Sequence, residues 1–117
     1  MAEKIDELDA ALEAAKLDPD PCTYVHKFKK PFEWQGKKYE TLAFDFDSMT
    51  GRDFIAIDKE ITMKGSTAIV PAFSVPFLIA LSARAAGVGS DMLEAMPIYE
   101  VNKIFTKARN FMLHADM

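Results

Sequence analysis

Apolar positions recur along this chain at changing spacings, and each change marks a new element. Residues 3–16 set Ile5, Leu8, Leu12 and Ala15 three and four apart with Asp, Glu and Lys opposite, the period of an amphipathic helix with a narrow stripe. "LDPDPC" at 17–22 places two prolines directly after it and reads as a linker. From Tyr24 to Phe46 the spacing falls to two: "YVHKFKKPFEW" and "KKYETLAFDF" flank a Gln35-Gly36 turn, which predicts an antiparallel hairpin over 24–46. In its second strand Leu42, Phe44 and Phe46 share one face, and Tyr39, Thr41, Ala43 and Asp45 the other. Pro31 lacks a backbone donor, which suits an edge strand.

A lone hairpin is marginal in water, so its apolar face needs a cover, and the carboxy-terminal half supplies helices. Thr50 with Asp53 three residues on resembles a capping box. Phe54, Ile57 and Ile61 follow at helical spacing, predicting a helix over about 51–64 that ends near Gly65. Ser74 is placed to cap the next helix, 75–86, with Pro76 in its first turn, where a missing amide hydrogen costs little. "FLIALSARAA" is apolar nearly all round, so this helix belongs at the centre and stops at Gly87. Ser90 opens a short helix over 90–96. Pro97 introduces a last one over 98–114, striped by Val101, Ile104, Phe105, Ala108 and Met112. The expected organisation is an acidic amphipathic arm and linker at 1–22, then a single α+β domain at 23–117 with three to four helices packed on one hairpin face.

Charge sharpens this division. The 117 residues carry a net charge of −4, which counts against general affinity for phosphate backbones, since that affinity comes from Lys and Arg. Residues 1–20 hold seven acids and two bases, whereas the remainder holds eleven acids and twelve bases. The acidity therefore belongs to the arm. Cys22 is the only cysteine, so no disulfide forms within the chain. The opening "MAEKIDELDAALEAAK" lacks the apolar stretch of a secretory signal, and the expected location is the cytoplasm. No charge falls between Lys64 and Arg84, yet Pro71 and Pro76 break that stretch. Its continuous helical part is shorter than the roughly 20 residues a bilayer needs, so a buried core helix is expected there.

Candidate chemistry is sparse. With Asp45 at position one of a calcium loop, Met49, Thr50 and Ala56 fall where an oxygen ligand, Gly and a bidentate Glu belong. Asp45 and Asp47 then read as solvated outer-face acids, and Asp53 as a helix-start acid. Cys22, His26 and His114 are the only Cys or His residues, too few for a closed zinc site. Cys22 and His26 as thiolate and base lack a third member. The five glycines are scattered turn and stop residues rather than a phosphate loop. No enzyme, cofactor or metal is expected.

Binding is the better reading. The arm residues Ile5, Leu8 and Leu12, the hairpin aromatics Phe28, Phe32, Trp34 and Tyr39, and seven methionines offer adaptable apolar contact surface. The hairpin also carries Lys27, Lys29, Lys30, Lys37 and Lys38. Such lysines protect a free edge, meet an acidic protein surface, or, with the aromatics, build a platform for single-stranded nucleic acid in a regulatory module.

The stretch "WQGKKYETLAFDFDSMTGRD", its continuation "FIAIDKEI", then "LSARAAGV" and the closing "ARNFML" together resemble the tail assembly chaperones of tailed bacteriophages and prophages. The similarity spans about residues 25–113 and leaves out the arm. It implies a small non-enzymatic α+β protein of the host-cell cytoplasm, absent from the mature virion. Such a protein binds the tape measure protein, keeps it soluble and helps recruit tail tube subunits, the latter through a longer product of ribosomal frameshifting; a homo-oligomer is among the states expected. By this resemblance Thr50, Gly51, Arg52 and Asp53 match the hairpin-to-helix junction, and Arg84 and Gly87 the end of the central helix, as structural rather than ligand-binding positions.

Overall fold

The computed structural model describes residues 22–114. In these, β1 (Thr23–Trp34) and β2 (Lys37–Asp45) form a two-stranded antiparallel sheet, followed by α1 (Gly51–Met63), a single 3-10 turn (Pro71–Phe73), α2 (Val75–Ala86), α3 (Ser90–Glu94) and α4 (Ile98–His114). The fold is α+β. The arm over residues 1–21, with Ile5, Leu8 and Leu12, lies outside the described residues.

The hairpin turns on Gln35 and Gly36, both with positive φ (50° and 79°). That geometry matches the twist of the flanking strands, and a glycine at one of its two positions lowers the steric cost. Pairing runs from Thr23↔Asp45 to Lys27↔Thr41, then resumes at Phe32↔Tyr39. Residues 28–31 therefore oppose Glu40 alone, and Pro31 falls within this bulge. A bulge adds residues to one strand and bends it. Alternation puts Tyr39 on the face opposite Phe44; instead Tyr39 is half-buried and packs against the core. Tyr39 pairs with Phe32 on the far side of the bulge, past the register shift.

Leu42, Phe44 and Phe46 are buried, as the period of two requires. β2 lies against α2, and β1 against α4. Helix α2 also touches α1, α3 and the 3-10 turn, which makes it the centre of the domain. Phe77, Leu78, Ala80, Leu81 and Ala83 are all buried on it, in keeping with its nearly uninterrupted apolar sequence. Ile57 and Ile61 of α1, Met92 and Leu93 of α3, and Ile104, Phe105 and Ala108 of α4 complete one core. Phe46 stacks on Phe111, ring centres 5.3 Å apart, closing the sheet onto the last helix. Among the described residues, no helix is long and apolar enough to cross a membrane.

Candidate partner-binding surface

Helix ends fix the geometry of this region. At the start of α1 the Thr50 backbone N–H (2.8 Å) and hydroxyl (3.2 Å) both donate to Asp53 Oδ2. At the end of α2 Gly87 takes a left-handed conformation (φ 71°); its N–H donates to the Arg84 carbonyl, and the Val88 N–H to the Ala83 carbonyl. These two bonds make a Schellman motif, which needs a residue at ease with positive φ at the position of Gly87. Arg84 sits inside the motif and donates from Nη2 (2.7 Å) and Nε (3.2 Å) to Asp53 Oδ1. The Arg84 guanidinium is the leading cause holding the Asp53 carboxyl below its ordinary value, followed by the Thr50 N–H. A base at the end of one helix and an acid at the start of another each complement the local helix dipole. The two most distinctive stretches of sequence, around Thr50–Asp53 and Ala83–Val88, thus meet through one ion pair, in which Gly51 and Arg52 take no part.

Beside this clasp lies an apolar groove of about 290 Å³. Met49, Phe54, Ile57, Leu81, Phe111 and Met112 line it, with Thr50, Gly51 and Asp53 at its polar side. Phe54 is exposed although its ring packs 5.0 Å from that of buried Phe77. A second apolar surface follows α1: Ile69, 91% exposed, with Val70, Phe73 and Val75. The Arg109 guanidinium sits 5.2 Å from the Phe73 ring and its Nε donates to the Ala72 carbonyl (3.2 Å), holding this segment to α4.

The hairpin presents less aromatic surface than its sequence promises. Phe28 is only 6% exposed and belongs to the core, so it is removed from the candidate contact residues. Phe28, Phe32 and Trp34 stack in series at 5.7 and 6.3 Å, leaving Phe32 and Trp34 half-buried. Lys37 lies 5.1 Å from the Tyr39 ring, and Lys29 5.9 Å from Tyr99. Lys27, Lys29, Lys30, Lys37 and Lys38 are exposed.

A buried polar relay ties β1 to α4, and the sequence patterns do not reveal it. The Tyr24 hydroxyl donates to His26 Nδ1 (2.8 Å), His26 Nε2–H donates to Glu100 Oε1 (3.1 Å), and the Lys29 backbone N–H donates to Glu100 Oε2 (2.9 Å). His26 and Glu100 are 0% and 1% exposed. Burial pushes the His26 imidazole below its ordinary pKa, and nearby Lys103 adds to that; Glu100 pulls the other way without reversing it. Burial first, and then the Glu100 charge, raise the Tyr24 phenol. A neutral imidazole, accepting at Nδ1 and donating at Nε2, satisfies every bond of the relay. With both ring nitrogens occupied inside the core, His26 serves as a strut rather than as a base for Cys22. The alternation of β1 placed His26 beside Phe28, and Glu100 occupies the first turn of α4, but nothing in one dimension pairs residues 74 positions apart.

Asp45 and Asp47 are exposed. Among the described residues, no three His, Cys, Asp or Glu side chains group as a metal site requires. No family model, curated protein or solved structure matches this chain.

Proposed function

We propose that this chain is a non-enzymatic tail assembly chaperone of a tailed phage or prophage. In this reading it binds the tape measure protein, keeps it soluble and helps recruit tail tube subunits. It acts in the host cytoplasm and does not enter the mature virion, and a longer frameshifted product carries the tube contact. The supporting observation is the apolar groove lined by Met49, Phe54, Ile57, Leu81, Phe111 and Met112. A groove of this kind accepts the apolar stripe of an amphipathic helix, and the methionines Met49 and Met112 in its lining adapt to varied side chains. Exposed Ile69, Val70, Phe73 and Val75 extend the apolar surface available to a long helical client. The resemblance in sequence supplies the identity of that client.

The test is co-expression with the tape measure protein of the same phage or prophage, read by co-purification and soluble yield. A complex with rescued solubility is expected, weakened by Phe54→Asp. No complex and no rescue overturns the reading. The exposed hairpin lysines favour a second reading, an oligonucleotide-binding or regulatory module, which predicts binding that falls steeply with salt and is lost when Lys27, Lys29 and Lys30 become Glu. Phe32 and Trp34 stack on each other, so charge rather than base stacking carries that alternative.

A further inference from the structure

We propose that the outer edge of β2 pairs antiparallel with the same edge of a second copy of this chain, joining two hairpins into one four-stranded sheet about a two-fold axis. This pairing is independent of the identity of any client. It starts from an asymmetry between the two edges of the hairpin. Along β1 the edge is closed: residues 28–31 bulge opposite Glu40, Pro31 has no N–H to offer, and the Lys29 N–H is already taken by Glu100 of α4. Among the described residues nothing pairs with the outer edge of β2. A shallow groove runs along that edge, lined by residues 37–43 with no helix residue in its walls, which leaves room for an added strand.

Backbone geometry identifies the groups left open. The Phe46 N–H donates to the Cys22 carbonyl (2.8 Å), and the register continues from that pair through Thr23↔Asp45 and Tyr24↔Phe44. In an antiparallel ladder, residues that exchange both bonds with their partner alternate with residues that exchange none. Phe46, Phe44 and Leu42 therefore bond to β1, while Asp45, Ala43 and Thr41 turn their N–H and C=O outward. The Ser48 hydroxyl donates to the Asp45 carbonyl (3.2 Å), which leaves Ala43 and Thr41 as the open positions. A two-fold axis at Leu42 sets Thr41 of each copy opposite Ala43 of the other and closes about four backbone bonds between groups that lack a partner in one copy.

The same alignment suits the charges. β2 opens on Lys37 and Lys38 and closes on Asp45, with Asp47 just beyond, so an antiparallel copy sets its acidic end against the basic one. With the axis at Leu42, Tyr39 of one copy faces Asp45 of the other. Lys37 leans over its own Tyr39 ring, 5.1 Å away, and so lies beside both Asp45 and Asp47 of the second copy. All three charged residues are exposed. Opposite charges across strands stabilise and like charges destabilise, so lysines that keep parallel or misaligned edges apart select this alignment. Pairing along one strand buries less than about 1,200 Å², the range of transient contacts, and the dimer is reversible.

The test is sedimentation of the full chain under reducing conditions at concentrations up to about 1 mM, the weak end of the affinity scale. A monomer–dimer equilibrium is expected, with amide exchange at Thr41 and Ala43 slowing as the dimer fills. Ala43→Pro removes an outward N–H at a place where an edge strand tolerates proline, and should abolish the dimer while the circular dichroism of the monomer is unchanged. Two further variants leave the backbone alone and decide the matter even where the proline variant fails to fold. Lys37→Glu in one chain, and Asp45→Lys with Asp47→Lys in another, should each raise the dimer Kd by about tenfold or more. An equal mixture of the two should dimerise like the parent, because every facing pair is again of opposite sign. A chain that stays monomeric at every concentration overturns the proposal, as does a dimer indifferent to a folded Ala43→Pro variant, or a mixture no tighter than its separate components.

Discussion

Glu100→Ala removes the shared acceptor of two buried donors, His26 Nε2–H at 3.1 Å and the Lys29 N–H at 2.9 Å. Hydrogen bonds to a charged group contribute about 1.5–3 kcal/mol each, and a buried donor left unpaired costs about 1–3 kcal/mol. His26 is neutral, so no buried charge is stranded and the cost is that of two unpaired donors, together about 2–6 kcal/mol, because Glu100 is 1% exposed and alanine leaves no replacement acceptor. Small domains retain only about 5–15 kcal/mol of net stability, so the variant should be close to its limit. With a shift of about 4–8 °C per kcal/mol for a domain of this size, the melting temperature should fall by at least about 8 °C. Urea unfolding followed by circular dichroism gives the free energy directly. The companion His26→Leu/Glu100→Leu variant should regain the share lost at His26, since an apolar pair replaces a polar one, and retain the loss at the Lys29 N–H. A Glu100→Ala variant within about 1 kcal/mol of the parent, less than one typical charged hydrogen bond, would refute the assignment of the relay as a strut.

Three further outcomes follow from the helix ends and the relay. Gly87→Ala should cost about 1–2 kcal/mol, because its φ of 71° is left-handed and nothing lies near an added Cβ; Gly51→Ala, equally uncrowded but inside α1 with ordinary φ, should be neutral or stabilising by up to about 1 kcal/mol, both read by urea unfolding. Asp53→Ala should lower stability by less than Glu100→Ala, since its Arg84 pair is solvent-exposed. Asp53 is held below its ordinary pKa, so its contribution is full above about pH 3.8 and is lost as pH falls through the depressed folded value, which an acid titration of parent and variant resolves. For His26 the sign reverses with the group: its folded pKa lies below 6.5, so the unfolded chain takes up the proton first and stability falls as pH drops through about 6.5, levelling off below the folded value. A His26→Gln variant should flatten that slope in melting temperatures measured across the same range.

Most of the domain was readable because its signals are local. Pro76 and Ser74 start α2 and Gly87 ends it, and the observed helix spans the same 75–86. Helix α1 ends one residue before the expected 64, and α3 stops at Glu94 rather than at 96, where the chain turns toward Pro97. Alternation found the buried face of β2, and Gln35-Gly36 located the turn. The bulge was hidden: Pro31 announced an irregular edge but not that Glu40 would oppose four residues, and alternation did not show that Tyr39 would pack against the core. The Arg84–Asp53 clasp was half visible, each residue standing out in its own motif while their contact across 31 positions did not. Phe28 was read as contact surface because a strand of mixed lysine and aromatic residues does not say which rings a distant helix will cover. The His26–Glu100 pair escaped for the same reason, being a tertiary event between residues that look ordinary one at a time.

That pair also sets a schedule for synthesis. His26 and Glu100 lie 74 residues apart, and at about 5–20 residues per second a ribosome needs about 4–15 s to pass from one to the other. Once β2 is complete at Asp45, 55 residues still separate the ribosome from Glu100, about 3–11 s at that pace, and for this time the hairpin shows Leu42, Phe44 and Phe46 on one side and two unpaired edges while α4, which supplies Phe111 and Glu100, is still being made. The nascent chain thus shows sticky sheet to its neighbours for far longer than a hairpin takes to form, roughly 1–10 μs. Lysines along those edges discourage pairing between chains on adjacent ribosomes, and the pace at which the last helix is translated becomes a determinant of yield.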